Sequence, residues 1–306
     1  MNNTVRFYCG INEKVWNYYP VSPGEYACVS PVMGSKINKI AENRVFVPEN
    51  TKVIQDSGAF CDSLSTRLSF ISALERQMKH ANKYKYEHMI THRASYDLLI
   101  DEKWNDQGER KKIRWRNEEA EYATTETIKG AEFLSNHRQG LGLVLSAQGV
   151  TCNQYMRCAK EITPMMNMDI DIFGLGGWCI LGKKKTTLFP DFVEIMSNVI
   201  PYLSSAGVKK VHIWGVLYAI PLGSLLWICD KYNINLSTDS SGPQKRPAFG
   251  QWGFANWKDK DYVRPPTSIR GQERARHVQE TIKWLDGFRS SIYYQSPENI
   301  LRSALK

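Results

Sequence analysis

The stretch VIQDSGAF, residues 53–60, sets a short apolar run directly before a carboxylate, a serine and a glycine. If that run is a buried strand, Asp56 stands where the backbone leaves the core and meets solvent, a place for chemistry or for a turn. The same design recurs along the 306-residue chain. VRFYCGI (5–11), ACVSPVMG (27–34), KVIQDSG (52–58) and EHMITHRASYD (87–97) are followed by LGLVLSAQG (141–149), DIFGLGGW (171–178), KVHIWGV (210–216) and INLSTDSSG (234–242). Most of these runs are apolar enough to be buried on both faces, as strands of a parallel sheet are.

Between them the pattern turns helical. Leu68, Ile71, Leu74, Met78 and Ala81 recur at helical spacing, with Ser65 or Thr66 as the N-cap. Further helices are predicted over 117–138, 151–162, 190–204, 221–232 and 272–287. Strands alternating with helices make parallel βαβ units, and eight strands close into a (β/α)8 TIM barrel; an open, doubly wound sheet is the alternative. No repeat, low-complexity tract or Gly/Ser linker marks a boundary, so residues 1–306 are read as a single barrel domain. Residues 242–271, rich in Gly, Pro, aromatics and cations, read as a long loop over one barrel face ahead of a C-terminal helix at 272–287.

A hydrophobic content of 42% supports a large core, and the formal charge of +9 attracts polyanions without identifying one. Seven cysteines, odd in number and without a CxxC, read as free thiols of a reducing cytoplasm. The N-terminus has no signal pattern. The most apolar window, 215–229, is shorter than the roughly 20 residues of a membrane span and is interrupted by Pro221. A cytoplasmic protein without a membrane segment is expected.

In a (β/α)8 barrel the C-terminal ends of all strands open on one face. Asp56, Asp97 and Asp239 stand at such ends, and Gln148, the GLGGW backbone at Gly176 and Gly177 with Trp178, and Trp214 and Gly215 belong to the same mouth, with Ser57 in the first turn. An amide, open glycine backbone and an aromatic wall can hold a flat heterocycle by edge hydrogen bonds and stacking, with carboxylates beside it as nucleophile and general acid or base. Each feature has a plainer reading. An Asp before Ser-Gly is commonly a turn or cap. The glycines of GLGGW serve tight packing, since Cys179 stands where a dinucleotide fingerprint needs its last glycine, and Trp214 is a candidate core residue. Recurrence at successive strand ends argues for a site.

In order along the chain, these motifs resemble those of the tRNA-guanine transglycosylases and their DNA-modifying relatives. VIQDSGAF resembles the family's Asp-Ser-Gly-Gly-Phe strand, LSAQG its Gln-Gly-Gly strand and FGLGGW its Gly-Gly-Leu strand. HIWGV is similar to its Met-Gly-Val-Gly strand and INLSTDSSG to its Phe-Asp-Cys strand, over roughly residues 50 to 245. The resemblance implies Asp239 as nucleophile and Asp56 as general acid or base. It also implies Asp97 and Gln148 on the edge of a guanine-like base, with backbone groups from Gly176 and Gly177. Asp101 of LLIDE competes with Asp97, because the family's fourth strand ends in an Asp-Glu pair. The chain departs from the family in Ala59, where the second glycine stands, and in having no cysteine after Cys229, which removes the family's zinc site. No metal and no cofactor are therefore expected. A compact, zinc-free form is similar to the DNA-directed, DpdA-type branch. That branch implies a pentosyltransferase that replaces guanine in DNA with a 7-deazaguanine through a covalent aspartyl-sugar intermediate. The partners implied are DNA, or tRNA, and a 7-deazaguanine base.

Lys183, Lys184, Lys185, Lys245 and Arg246 are the nominated polyanion contacts. ERKKIRWR (109–116) is another, with a solvated helix face as its plainer reading. Three alternatives stand beside the DNA reading: a tRNA-directed transglycosylase, a carboxylate-based barrel glycoside hydrolase using Asp56 and Asp239, and a non-catalytic basic nucleic-acid-binding barrel.

Overall fold

The computed structural model describes residues 5–11, 25–31, 50–62, 66–99, 103–104, 110–111, 116–179, 185–245 and 272–304. Its centre is a closed barrel of eight parallel strands, so the barrel expected from the alternating runs is what the chain forms. In chain order these are β1 (Arg6–Ile11), β2 (Tyr26–Val29), β3 (Lys52–Gln55), β4 (Ile90–Ala94), β5 (Gly142–Ala147), β6 (Ile172–Leu175), β7 (Lys210–Ile213) and β8 (Asn235–Ser240). Each pairs with its neighbour in sequence, and β8 closes onto β1 through Arg6 opposite Ser237 and Tyr8 opposite Asp239. A short antiparallel ribbon, Lys103–Trp104 with Arg110–Lys111, lies outside the barrel.

Side chains alternate between the two faces of each strand. Tyr8, Cys28, Ile54, Ala94, Val144 and Ile172 pack together as the barrel's inner filling, with Tyr26 and Trp214 against them. The alternate residues, Phe7, Cys9, Leu143, Leu145, Phe173, Val211 and Leu236, belong to the larger core under the helices. Because β5 is buried at every position from Gly142 to Ala147, it reads as an unbroken apolar run.

The helices longer than one turn are α1 (Phe70–Tyr84), α2 (Asn117–Asn136), α3 (Cys152–Ile162), α4 (Lys185–Ser205), α5 (Ala219–Lys231), α6 (Gln272–Asp286) and α7 (Pro297–Ala304). Thr151 and Gln154 form a reciprocal capping box on α3. The first helix corrects two expectations. Its N-cap is Ser69, whose hydroxyl accepts from Ser72 N at 3.2 Å, so the helix starts later than a cap at Ser65 or Thr66 would place it. Its buried face is Ala73, Leu74, Gln77, His80 and Ala81, while Ile71 and Met78 are exposed. Gln77 and His80 are buried because they have partners inside: Gln77 Nε2 donates to Asp56 O and Ala94 O, and His80 Nδ1 lies 2.5 Å from the Tyr86 hydroxyl.

The apolar window that raised the membrane question is α5, covered by the chain's last segment. A Cβ on Gly223 would sit 2.0 Å from Tyr293 O, and Asp230 accepts from Arg289 Nε at 2.7 Å and from the Tyr294 hydroxyl at 2.9 Å. No helix among the described residues is long and apolar enough to cross a membrane. All seven cysteines are free thiols.

Candidate active site

Asp56, Asp97 and Gln148 stand past the ends of their strands, at the rim. Asp56 is one residue beyond β3. Its turn is held from α1 by Gln77, donating to Asp56 O at 3.0 Å, and by Arg76, donating to Ser57 O at 3.0 Å. Gly58 takes the left-handed conformation at φ 76°, which favours glycine. Ser57 Oγ accepts from Ala59 N at 3.2 Å and donates to Asp97 Oδ1 at 3.3 Å. Ala59 is buried at the start of a short 3-10 turn.

Asp97 arrives by another route. After β4 the backbone rises against α2 so closely that a Cβ on Gly130 would lie 2.1 Å from Tyr96 O. Thr127 Oγ1 accepts from Leu98 N at 3.1 Å, and Arg67 donates to Asp97 O at 2.9 Å. The carboxylate is buried. Its Oδ2 takes Gln148 Nε2 at 2.5 Å, which makes Gln148 and Ser57 its two side-chain donors. Gln148, directly after β5, is 1% exposed, and its Oε1 is buried with no hydrogen-bond partner. A Cβ on Gly176 would meet the Gln148 amide at 2.1 Å, so glycine is required there by close approach.

Asp239, inside β8, is on the inward face. Its Oδ1 accepts from Gly215 N at 2.7 Å and faces His212 Nε2 at 3.3 Å. Gly215 makes that contact from the left-handed region, at φ 68°. Trp214 is half-buried inside the barrel, where its Nε1 donates to Ser146 Oγ at 3.0 Å and its ring meets His212 edge to face at 4.4 Å.

Asp56 senses the other two carboxylates. Burial pushes the Asp56 carboxyl up to about 7, and the charges of Asp239 and Asp97 push the same way, against backbone N–H groups of Ser57 and Gly58. Asp97 is raised by burial, with the Gln148 and Ser57 hydrogen bonds opposing. Beneath them, the Cys28 thiol is held well above its ordinary value by burial and by Asp239 and Asp56. Asp56 is thus a carboxyl whose proton is held toward neutral pH, while Asp239 has its Oδ1 engaged by Gly215 N and facing His212 Nε2.

The structure therefore brings Asp56, Ser57, Asp97, Gln148, Gly176, Trp214, Gly215 and Asp239 to one end of the barrel. It does not bring Trp178 there: that ring is fully buried, stacked on Tyr155 and edge-on to Phe192 in the helical layer. Gly177 is spent on a positive φ of 80° against the Tyr155 hydroxyl, and Gly176 O already accepts from that hydroxyl. Asp101, Lys183, Lys184 and Arg246 lie outside the described residues, as do the side chains of Lys185 and Lys245, all but the first residues of the 242–271 loop, and most of 109–116. Sequence reasoning missed His212, Ser237, Tyr8 and Cys28. The available signal was the two-residue spacing of His212 from Trp214 and of Ser237 from Asp239, which puts each pair on one strand face. Among the described residues no group of three or more His, Cys, Asp or Glu side chains is placed to hold a metal ion.

No protein-family model and no curated protein matches the chain. Among solved structures, it is similar to an L-ribulose 3-epimerase, 9% identical over 97% of this chain and 96% of that one, with a TM-score of 0.41. A D-allulose 3-epimerase from Methylomonas sp. is 12% identical over 93% and 100% of the two chains at a TM-score of 0.42. A D-psicose 3-epimerase determined in the presence of D-fructose is 8% identical over 94% and 100% at 0.41. No substrate or reaction is taken from likenesses at this level. These are sugar epimerases, however, and not transglycosylases, and the expected transglycosylase membership is corrected accordingly. So are the pentosyltransferase activity and the exchange of guanine for a 7-deazaguanine in DNA or tRNA. The motifs behind that expectation have local structural reasons: Gly58 and Gly215 for positive φ, Gly176 for close approach, Ser57 for tying a turn to Asp97. A barrel mouth can need such residues whatever reaction it hosts.

Proposed function

We propose that the chain is an enzyme performing general acid–base catalysis on a small polyhydroxylated substrate, such as a monosaccharide with a free or latent carbonyl, taken into the barrel mouth. What supports this reading is that Asp56, whose carboxyl burial and the Asp239 charge push up to about 7, shares the barrel mouth with Asp239, fixed through Oδ1 by Gly215 N. Catalytic efficiency is greatest when the acid's pKa lies near the working pH, and Asp56 meets that condition. Asp56 donates its proton to a substrate carbonyl oxygen as Asp239 removes a proton from the adjacent carbon, giving a neutral enediol. Return of a proton to that carbon and release of the one on oxygen restore both carboxyl groups. Asp97, Gln148 and the unpaired Gln148 Oε1 supply donor and acceptor positions for hydroxyls, and the Trp214 ring supplies an apolar wall.

The test is solvent exchange. A panel of aldoses and ketoses is incubated with the protein in deuterium oxide and followed by proton NMR. Deuterium is expected at the carbon next to the carbonyl of at least one sugar, and is lost with Asp239→Asn and with Asp56→Asn. Exchange with no member of the panel by the folded wild-type protein overturns the reading.

A further inference from the structure

We propose that His212 is a positioning residue for Asp239, donating from Nε2 to Oδ1 as the middle member of a buried Ser237–His212–Asp239 chain. Strands β7 and β8 pair His212 directly with Ser237. The Ser237 hydroxyl lies 3.0 Å from His212 Nδ1 and 3.1 Å from Val211 O, and His212 Nε2 lies 3.3 Å from Asp239 Oδ1. The imidazole is fully buried, with Tyr8 edge-on at 5.7 Å and Trp214 edge-on at 4.4 Å fixing its plane.

The hydroxyl of Ser237 has one proton and two acceptors within reach, which limits the arrangements. Turned toward Val211 O, it accepts from Nδ1–H, and the carboxylate facing Nε2 then requires a proton on that nitrogen too. Turned toward Nδ1, it donates, and the ring proton again sits on Nε2. In both arrangements Nε2–H points at Asp239, so the carboxylate places the ring proton and the Ser237 hydroxyl, able to donate or accept, accommodates the other nitrogen. Asp239 Oδ1 is then filled by two donors, Gly215 N and His212 Nε2, which fixes the carboxylate plane and presents Oδ2 as the working oxygen. The same second-partner logic orients histidines whose other nitrogen does chemistry. Here it is the carboxylate that is oriented.

This inference rests on reading Asp239 as the site's base, yet its first test needs no turnover. Histidine ring protons and nitrogens are observed by NMR at neutral pH in the wild-type protein, which has six histidines, with the His212 signals assigned by their loss in His212→Gln. The expected result is a slowly exchanging, downfield Nε2–H resonance that moves upfield in Asp239→Asn, together with a perturbed Nδ1 in Ser237→Ala. An unprotonated Nε2 in the folded wild type, or a resonance indifferent to Asp239→Asn, overturns the proposal. The second test uses whichever sugar exchanges deuterium. His212→Phe, with no donor, should lower kcat at least tenfold at little change in KM, and His212→Gln, whose amide can still donate, should recover part of the loss. Full exchange by a folded His212→Phe protein also overturns the proposal. A correct NMR signature with no sugar exchanging would instead sink the enzymatic reading and leave the positioning contact standing.

Discussion

Asp56 should make the protein less stable as the medium becomes alkaline, and removing its carboxylate should cancel the effect. Its carboxyl is raised from 3.8 to about 7 on folding, chiefly by burial. For an acid whose folded value is raised, the stabilising preference for the protonated native state is complete below the unfolded value and is lost as pH climbs through the folded one. Each unit corresponds to about 1.4 kcal/mol, so the whole excursion is worth about 4 kcal/mol, of which more than half falls between pH 5 and pH 8. Asp56→Asn keeps the shape and the backbone contacts of the turn but cannot ionise. Urea unfolding of both proteins at pH 5 and pH 8, with equal slopes confirming the same unfolding transition, reads the difference directly. The variant should gain on the wild type by roughly 2–3 kcal/mol on going from pH 5 to pH 8. If the gap between the two proteins is the same at both pH values, folding does not raise the Asp56 carboxyl, and Asp56 is an ordinary turn residue.

Other perturbations separate the site from its scaffold. Asp171, whose side chain is fully buried, accepts from Arg138 Nη1 at 2.6 Å, Leu143 N at 2.9 Å and Asn167 N at 2.8 Å. Asp171→Ala strands a cation and two backbone donors, and should cost about 3–5 kcal/mol by denaturant unfolding. Gly130→Ala places a methyl 2.1 Å from Tyr96 O, and because that backbone carries Asp97, the variant should lose both thermal stability and sugar exchange. Gln148→Leu removes a donor from the buried Asp97 carboxylate, at about 1–3 kcal/mol, and since that bond opposes the upward shift of Asp97, the loss should grow toward alkaline pH. In the native protein at pH 8, iodoacetamide should modify the exposed Cys61 and spare Cys28, whose thiol is buried and raised; peptide mapping by mass spectrometry shows which is alkylated.

The barrel was legible because a parallel strand covered on both faces leaves an apolar run that ends abruptly, and β5 and β6 are buried at every position. Asp56 was legible for the same reason, since an Asp directly after such a run emerges at the rim. What escaped notice was polar and interior. The face of α1 was misplaced because Gln77 and His80 take inward positions that hydrophobicity assigns elsewhere, where Gln77 meets Asp56 O and Ala94 O from two strand ends and His80 meets the Tyr86 hydroxyl just past the helix. Trp178 shows the opposite error. A large aromatic beside glycines reads as a binding wall, but at a strand end a change of one residue sends a side chain to the other layer, and this one went to the helices. The family resemblance failed in a related way. Motifs read along one strand record what that strand's turn needs, and Asp-Ser-Gly or Gly-Gly can be demanded by φ angles and close approach in barrels of unrelated chemistry. The chemistry of the mouth lies across strands, in pairs that the linear order separates: Asp97 with Gln148, His212 with Ser237, Asp239 with Gly215. Each joins a residue to one supplied by a different strand or rim segment. Pairing across the mouth, more than any single motif, therefore gives Asp56 and Asp239 their different surroundings, one raised by burial and the other engaged by Gly215 N and His212.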